Sequence, residues 1–312
     1  MAEEIPPEVA LSWMRLQTVK YVNVASLAIL VFDYCLTFDL ELSLIWPTKM
    51  SLMKTLFLFA RYTPFFDVPV GLYYTLAPNV SLKDCFNLNT TATTMSVFGI
   101  AIGEAILVLR TFAPSGRDRN VLLIIGTIYA LAASATLVMV GIFLRSMTFG
   151  PPIFSKIPGC NETGGNFILI GICFILVLVN ETALMSFTLW LGWKRYRTLR
   201  NPFVVTLYRD GITYFIFLTL GSATNFAILI AGEVRQTVSI SPFQRSADNT
   251  TGRASGTTKH LPISFLRVMH SVLSTRILLH LRDVERKRAE ASLQLQVSSG
   301  THIDFAPGYE DT

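Results

Sequence analysis

"LPISFLRVMHSVLSTRILLHL" occupies residues 261–281. Its length suits a helix that crosses a bilayer, which takes about 20 residues. Its content argues the other way, because Arg267, His270 and Arg276 interrupt the apolar run. Taken alone, it would pass for a surface helix. If it crosses, the chain has seven spans. If it does not, the chain has six, and this stretch with the following "RDVERKRAE" is a basic amphipathic helix lying in the interface.

The rest of the chain favours lipid as the surrounding medium. Of the 312 residues, 51% are hydrophobic and 15% are charged, against roughly 25% charged in an ordinary soluble domain. Six stronger apolar runs lie near 21–41, 54–77, 92–110, 120–143, 166–191 and 210–231. Backbone groups in lipid must bond internally, so the element is a helix. The start carries Glu3, Glu4 and Glu8, unlike the basic leader of a signal peptide or an Arg-rich transit peptide. The first run is therefore expected to anchor the chain uncleaved.

Charge sets the orientation. The formal net charge is +5. Lys49 and Lys54 follow the first run, Arg110, Arg117 and Arg119 the third, and Lys194, Arg195, Arg197, Arg200 and Arg209 the fifth. Basic short loops stay cytoplasmic, so the amino end faces outward or into a lumen. Seven spans then put Arg282, Arg286, Lys287 and Arg288 in the cytoplasm, where such a cluster belongs; six would leave them outside. The expected fold is an all-α polytopic bundle of seven transmembrane helices, with six as the alternative. The expected organisation is an outer amino terminus at 1–20, a six-helix core at 21–231, a polar outer loop at 232–260, a seventh helix at 261–281 and a cytoplasmic tail at 282–312.

The outer segments carry matching signs. Three N-x-S/T sequons, at Asn89, Asn161 and Asn249, fall on them, although the motif is weak and Asn89 is close to the third run. Cys85 and Cys160 lie in successive outer loops, where an oxidising compartment permits a disulfide. Cys35 and Cys173 sit inside spans and read as small hydrophobes.

Ionisable groups inside lipid turn inward and find partners, and they often mark functional sites. "DYCLTFDLELSLIWPTKM", 33–50, places Asp33, Asp39 and Glu41 close together. Counted from the cytoplasmic ends at 1.5 Å per residue, Asp33, Arg61, Glu104 and Arg276 all lie about 8–12 Å deep. They are expected to share a layer, with Asp33–Arg61 as the leading pair. Asp39 and Glu41 read as boundary residues beside Trp46. By the same ruler Asp67 and Glu181 lie about 19 Å deep. With Asn180 and Asn225 they form a second expected layer, where Pro64 and Pro69 kink the helix around Asp67. Either layer reads as a ligand or proton site, or as a network that only fixes packing. Gly99 and Gly103 form a G-x-x-x-G that allows close helix approach.

Several chemistries lack their residues. All four histidines, at 260, 270, 280 and 302, are C-terminal, and no metal-ligand spacing or H-E-x-x-H occurs, so no metal site is expected. Neither a G-x-S-x-G nor a phosphate-binding glycine loop is present. The Asp-Arg-Tyr and N-P-x-x-Y groups of the large receptor family are also missing, and no inverted repeat points to a carrier. The scattered basic segments suit anionic lipid rather than nucleic acid.

Four phrases carry a resemblance: "DYCLTFDLELSLIW" (33–46), "KTLFLFARYTPF" (54–65), "RDGITYF" (209–215) and "LSTRILLHLR" (273–282). Together they resemble a fungal, basidiomycete family of multi-span membrane proteins catalogued as a domain of unknown function. Its signature would cover about 21–66 and would single out Asp33, Tyr34, Glu41, Trp46, Arg61 and Tyr62. The likeness implies seven spans with an outside amino end and lends no activity. This chain departs from it at "QRSADNTTGRASGTTKH", before the last run.

The functional expectation is receptor-like binding of a small molecule within the bundle. A transporter or proton-coupled carrier using Asp67 and Glu181 is the alternative, and a membrane-embedded enzyme a further one. No cofactor is expected. Expected partners are the bilayer, a small ligand and a cytoplasmic protein meeting the basic loops and tail. The expected site is the plasma membrane or another secretory-pathway membrane.

Overall fold

The computed structural model describes residues 7–78, 80–112, 119–150, 159–198, 216–227 and 263–300. Among them the chain is almost entirely helical. In chain order the helices are α1 (Pro7–Leu44), α2 (Leu52–Tyr62), α3 (Pro64–Leu76), α4 (Leu82–Phe112), α5 (Arg119–Ser146), α6 (Phe167–Thr198), α7 (Ile216–Ala227) and α8 (Ile263–Gly300). Four stretches are long and apolar enough to cross a membrane: 17–44, 82–109, 123–146 and 167–190. The architecture is an all-α, membrane-type bundle. The loop 232–260, with Asn249, and parts of the sixth expected run lie outside the described residues.

α2 and α3 form one helical column broken by a single residue. Ser51 caps α2 by accepting the Lys54 amide. At the break, Thr63 keeps a helical backbone (φ −61°, ψ −32°), and Pro64 opens α3. Proline has no N–H and cannot close the helical bond to the residue four back. The carbonyl so released is that of Ala60, and it accepts the Ser271 hydroxyl of α8 at 2.6 Å. The interruption is thereby converted into a tie between two helices.

α8 is the centre of the bundle. It packs against α1, α2, α3 and α4, and from Leu266 to Leu279 nearly every side chain is buried, whichever way it points. This explains the mixed character of 261–281. A helix surrounded by other helices is solvated by their side chains, so it can carry polar groups that a lipid-facing helix cannot. α5 shows the converse. Only 6% of its apolar window is buried, and Leu123, Ile128, Leu131, Val138 and Ile142 are exposed. Apolar surface so extensive needs lipid rather than water against it. The last helix does not stop at 281 but runs to Gly300, its later turns laced by Asp283–Arg286 and Asp283–Lys287 pairs.

At the opposite end from this extension, strands β1 (Thr148–Gly150) and β2 (Asn161–Gly164) pair antiparallel. A Cys85–Cys160 disulfide ties the hairpin to the start of α4. The Gly159 and Cys160 amides donate to the carbonyls of Ala77 and Tyr74, closing the end of α3. Gly159 has φ +111° and faces the Thr75 carbonyl. That backbone region and that approach both demand a residue without Cβ.

Candidate functional site

Three buried polar groups thread the bundle, and α8 contributes to each. The one farthest from the hairpin is built around Arg61 of α2. Its Nη1 donates to Asp33 Oδ2 at 3.0 Å, its Nε to Glu41 Oε2 at 3.1 Å, and its Nη2 to Thr37 Oγ1 at 2.5 Å and to the Tyr34 carbonyl at 3.3 Å. The guanidinium carbon stands 5.0 Å from the Tyr34 ring centroid, a cation–π distance. Arg276 of α8 bonds the other Asp33 oxygen. Glu41 Oε1 accepts from Tyr62 Oη at 2.7 Å and from Trp46 Nε1 at 3.2 Å. Two acids and two arginines sum to zero, and both oxygens of each acid are satisfied. Asp33, Thr37 and Glu41 lie four apart, so one face of α1 carries all three.

Midway along the bundle Arg267 of α8 donates from Nε to Asp67 Oδ2 at 2.8 Å and from Nη2 to Thr63 Oγ1 at 2.6 Å. Its guanidinium lies over Gly99 of α4, where a Cβ would overlap it. The G-x-x-x-G face thus makes room for polar side chains: Gly103, one turn on, faces His270, to whose Cβ an added Cβ would stand 3.5 Å.

The third group joins α4, α6 and α8. Asn180 Nδ2 donates to Glu104 Oε2 at 3.1 Å. His270 Nε2 lies 3.1 Å from Glu181 Oε1, both side chains fully buried. That contact has the distance of an ion pair without the alignment of a hydrogen bond. Glu104 Oε1, both Glu181 oxygens and His270 Nδ1 have no hydrogen-bond partner among the described residues.

Two cavities adjoin these groups. The hairpin-side one, about 100 Å³, lies between the ends of α1, α3, α4, α5, α6 and α8 beneath the hairpin. Its polar lining includes Asn23, Asp67, Thr75, Asn89, Ser96 and Glu162. Asn23 Oδ1, Asp67 Oδ1 and Asn89 Nδ2 are buried there without a hydrogen-bond partner among the described residues. Glu162 of β2 accepts from Tyr74 Oη at 2.5 Å. The second cavity, about 70 Å³, is walled by apolar side chains of α4, α5 and α6 and meets Glu104 and Asn180 at one edge.

Several expected groupings are corrected. Glu104 is not paired with Asp33, Arg61 or Arg276; at similar depth it meets Asn180 instead. Asp67 does not meet Glu181; their partners are Arg267 and His270. Asn225 is buried, but its amide returns to the Gly221 carbonyl of its own helix at 3.0 Å. Glu41 is fully buried rather than at the boundary, whereas Asp39 is exposed. Cys35 is exposed and Cys173 buried. Asn89 lines the hairpin-side cavity; Asn161 sits on β2. Thr37, Thr63 and Asn23 were not singled out from sequence, and Arg267 and His270 were read only as interruptions of the last run. A charge count over the first two spans was the available signal. Asp33, Glu41 and Asp67 face one arginine there, so two further cations had to come from elsewhere.

Residues 21–66 match the model of a family described as Family of unknown function (DUF6533). The matched stretch contains Asp33, Tyr34, Thr37, Glu41, Trp46, Arg61 and Tyr62, the Arg61 network apart from Arg276. No curated protein matches the chain.

Proposed function

We propose that this is a seven-span membrane protein with an outer amino end that binds a small polar molecule in the outer half of its bundle, in the manner of a receptor. In this reading the α2–α3 column is the second span, the helix containing α7 the sixth, and α8 the seventh. The observation that carries it is the cavity beneath the hairpin, the outer cavity in this reading, where three buried polar atoms from α1, α3 and α4 have no hydrogen-bond partner among the described residues. Such atoms are costly unless something hydrogen-bonds them. The inner half supports the same reading, since the Arg61 network closes it with neutral, fully bonded contacts. The carrier reading draws on one further observation: Asp67 borders the outer cavity and Glu104 the apolar one.

Thiol accessibility separates the two. Ser96→Cys lines the outer cavity. In a Cys35→Ser background it should react with a membrane-impermeant thiol reagent added outside and stay unreactive to the same reagent added inside. Labelling from both sides would favour a carrier. Labelling from neither side would remove the cavity as an outward-facing site.

A further inference from the structure

Glu104, Glu181 and His270 are an anomaly of charge. The Arg61 network and the Asp67–Arg267 pair are each neutral. The third group has two carboxyls and one imidazole. Asn180 links the two carboxyls, donating to Glu104 and immediately preceding Glu181 on α6. His270 contributes at most one positive charge, so both carboxylates together exceed what it can balance.

The neighbouring elements supply no further cation among the described residues. From α5, Tyr129 gives its hydroxyl to the Ala101 carbonyl, about one turn before Glu104, at 2.5 Å. Residues 216–227 of α7 contain no titratable side chain. On α8 itself, Arg267 is committed to Asp67. The edge of the site toward α5 is the apolar cavity, and such walls do not hold water that could solvate a charge.

We propose that Glu104, Glu181 and His270 form a proton-binding site at the middle of the bundle, holding two protons among the three groups. The number follows from neutrality. One protonated carboxyl with a charged imidazole sums to zero, and so do two protonated carboxyls with a neutral imidazole. Each arrangement contains two protons. An uncompensated charge at this depth is strongly disfavoured even after relaxation. A metal ion is not the occupant the geometry favours, because no three His, Cys, Asp or Glu groups among the described residues are placed to hold one. A proton needs no such coordination sphere. It needs a carboxyl oxygen without a hydrogen-bond donor, and among the described residues Glu104 Oε1 and both Glu181 oxygens have none. This inference is independent of the outer cavity and of what binds there.

The test is infrared spectroscopy of the full chain in lipid nanodiscs at neutral pH, in H₂O and D₂O. A protonated carboxyl absorbs at higher frequency than any carboxylate and shifts on deuteration. The wild-type protein should show this band, and it should move when only glutamate carries a ¹³C carboxyl. Glu104→Gln or Glu181→Gln should remove or displace it. Absence of the band overturns the proposal. So does a band that ignores the glutamate label, or one unchanged in both variants, because the proton would then sit on another carboxyl. The isotope experiment uses unaltered protein, so a variant that fails to fold leaves the test intact. A missing band with a melting temperature that rises with sodium would assign the site to that ion and likewise overturn the proposal.

Discussion

Arg267 donates to Asp67 across 200 positions of sequence at 2.8 Å, and neither side chain has any exposure. The contact joins α8 to α3 at mid-depth and sets the rotation of α8 in the bundle. Breaking a buried pair by removing one partner typically costs about 3–5 kcal/mol, since the other charge stays behind unpaired. Arg267→Met and Asp67→Leu should each lower the melting temperature in detergent strongly. The double variant should recover much of the loss. Additive losses would mean that the two groups do not interact.

Gly99 makes room for that guanidinium. Gly99→Ala should push Arg267 off Asp67 and cost about 1–3 kcal/mol, the usual penalty of overpacking. At Gly103 an added Cβ would stand 3.5 Å from the His270 Cβ, ordinary contact. Gly103→Ala should therefore be much milder. Equal melting temperatures for the two variants would contradict this placement of Arg267.

What could be read in the sequence divides along a physical line. Lipid-facing helices announce themselves, because their outer faces must be apolar; α1, α4, α5 and α6 were legible for that reason. α8 was half legible. Hydropathy treats every polar residue as exposed to its surroundings, and the surroundings of α8 are other helices. Depth along a helix was legible too, since the rise per residue is fixed. Rotation about its axis was not, so Glu104 was grouped with residues at similar depth on other faces. The break at Pro64 could be foreseen, but the use of the freed Ala60 carbonyl could not, because its partner Ser271 is remote in sequence.

The Cys85–Cys160 bond closes a loop of 75 residues. Chain entropy alone would make such a bond worth about 4.5 kcal/mol. The effect should be smaller here, since α4 and α5 would stay inserted in the membrane and restrict the opened chain. Cys85→Ser should free the hairpin from α4 and render Cys160 reactive to maleimide in the folded protein. Unchanged labelling in the absence of reductant would deny the bond.

The two described sequons should behave differently. Asn161 stands on β2 at the hairpin, while Asn89 lies within α4 with its amide nitrogen buried. With an outer amino end, Asn161→Gln should abolish an endoglycosidase-sensitive shift on a gel, and Asn89→Gln should leave it unchanged. A shift that depends on Asn89 would require α4 to begin later than Leu82.

Arg61 offers the sharpest contrast between like-charged residues. Its fork meets Asp33, Glu41, Thr37 and the Tyr34 carbonyl at once. A lysine at this position keeps the charge but presents a single ammonium with three donors on a flexible stem, and cannot span both carboxylates in one plane. Arg61→Lys should therefore destabilise the protein by a large share of what Arg61→Ala does, about 3–5 kcal/mol for an acid left buried and unpaired. Arg276 differs because its side chain is 39% exposed, so water can replace part of its contact with Asp33. Arg276→Ala should cost clearly less than Arg61→Ala in the same melting assay. A lysine that restored full stability at position 61 would show that charge alone, without the fork, holds α1 to α2.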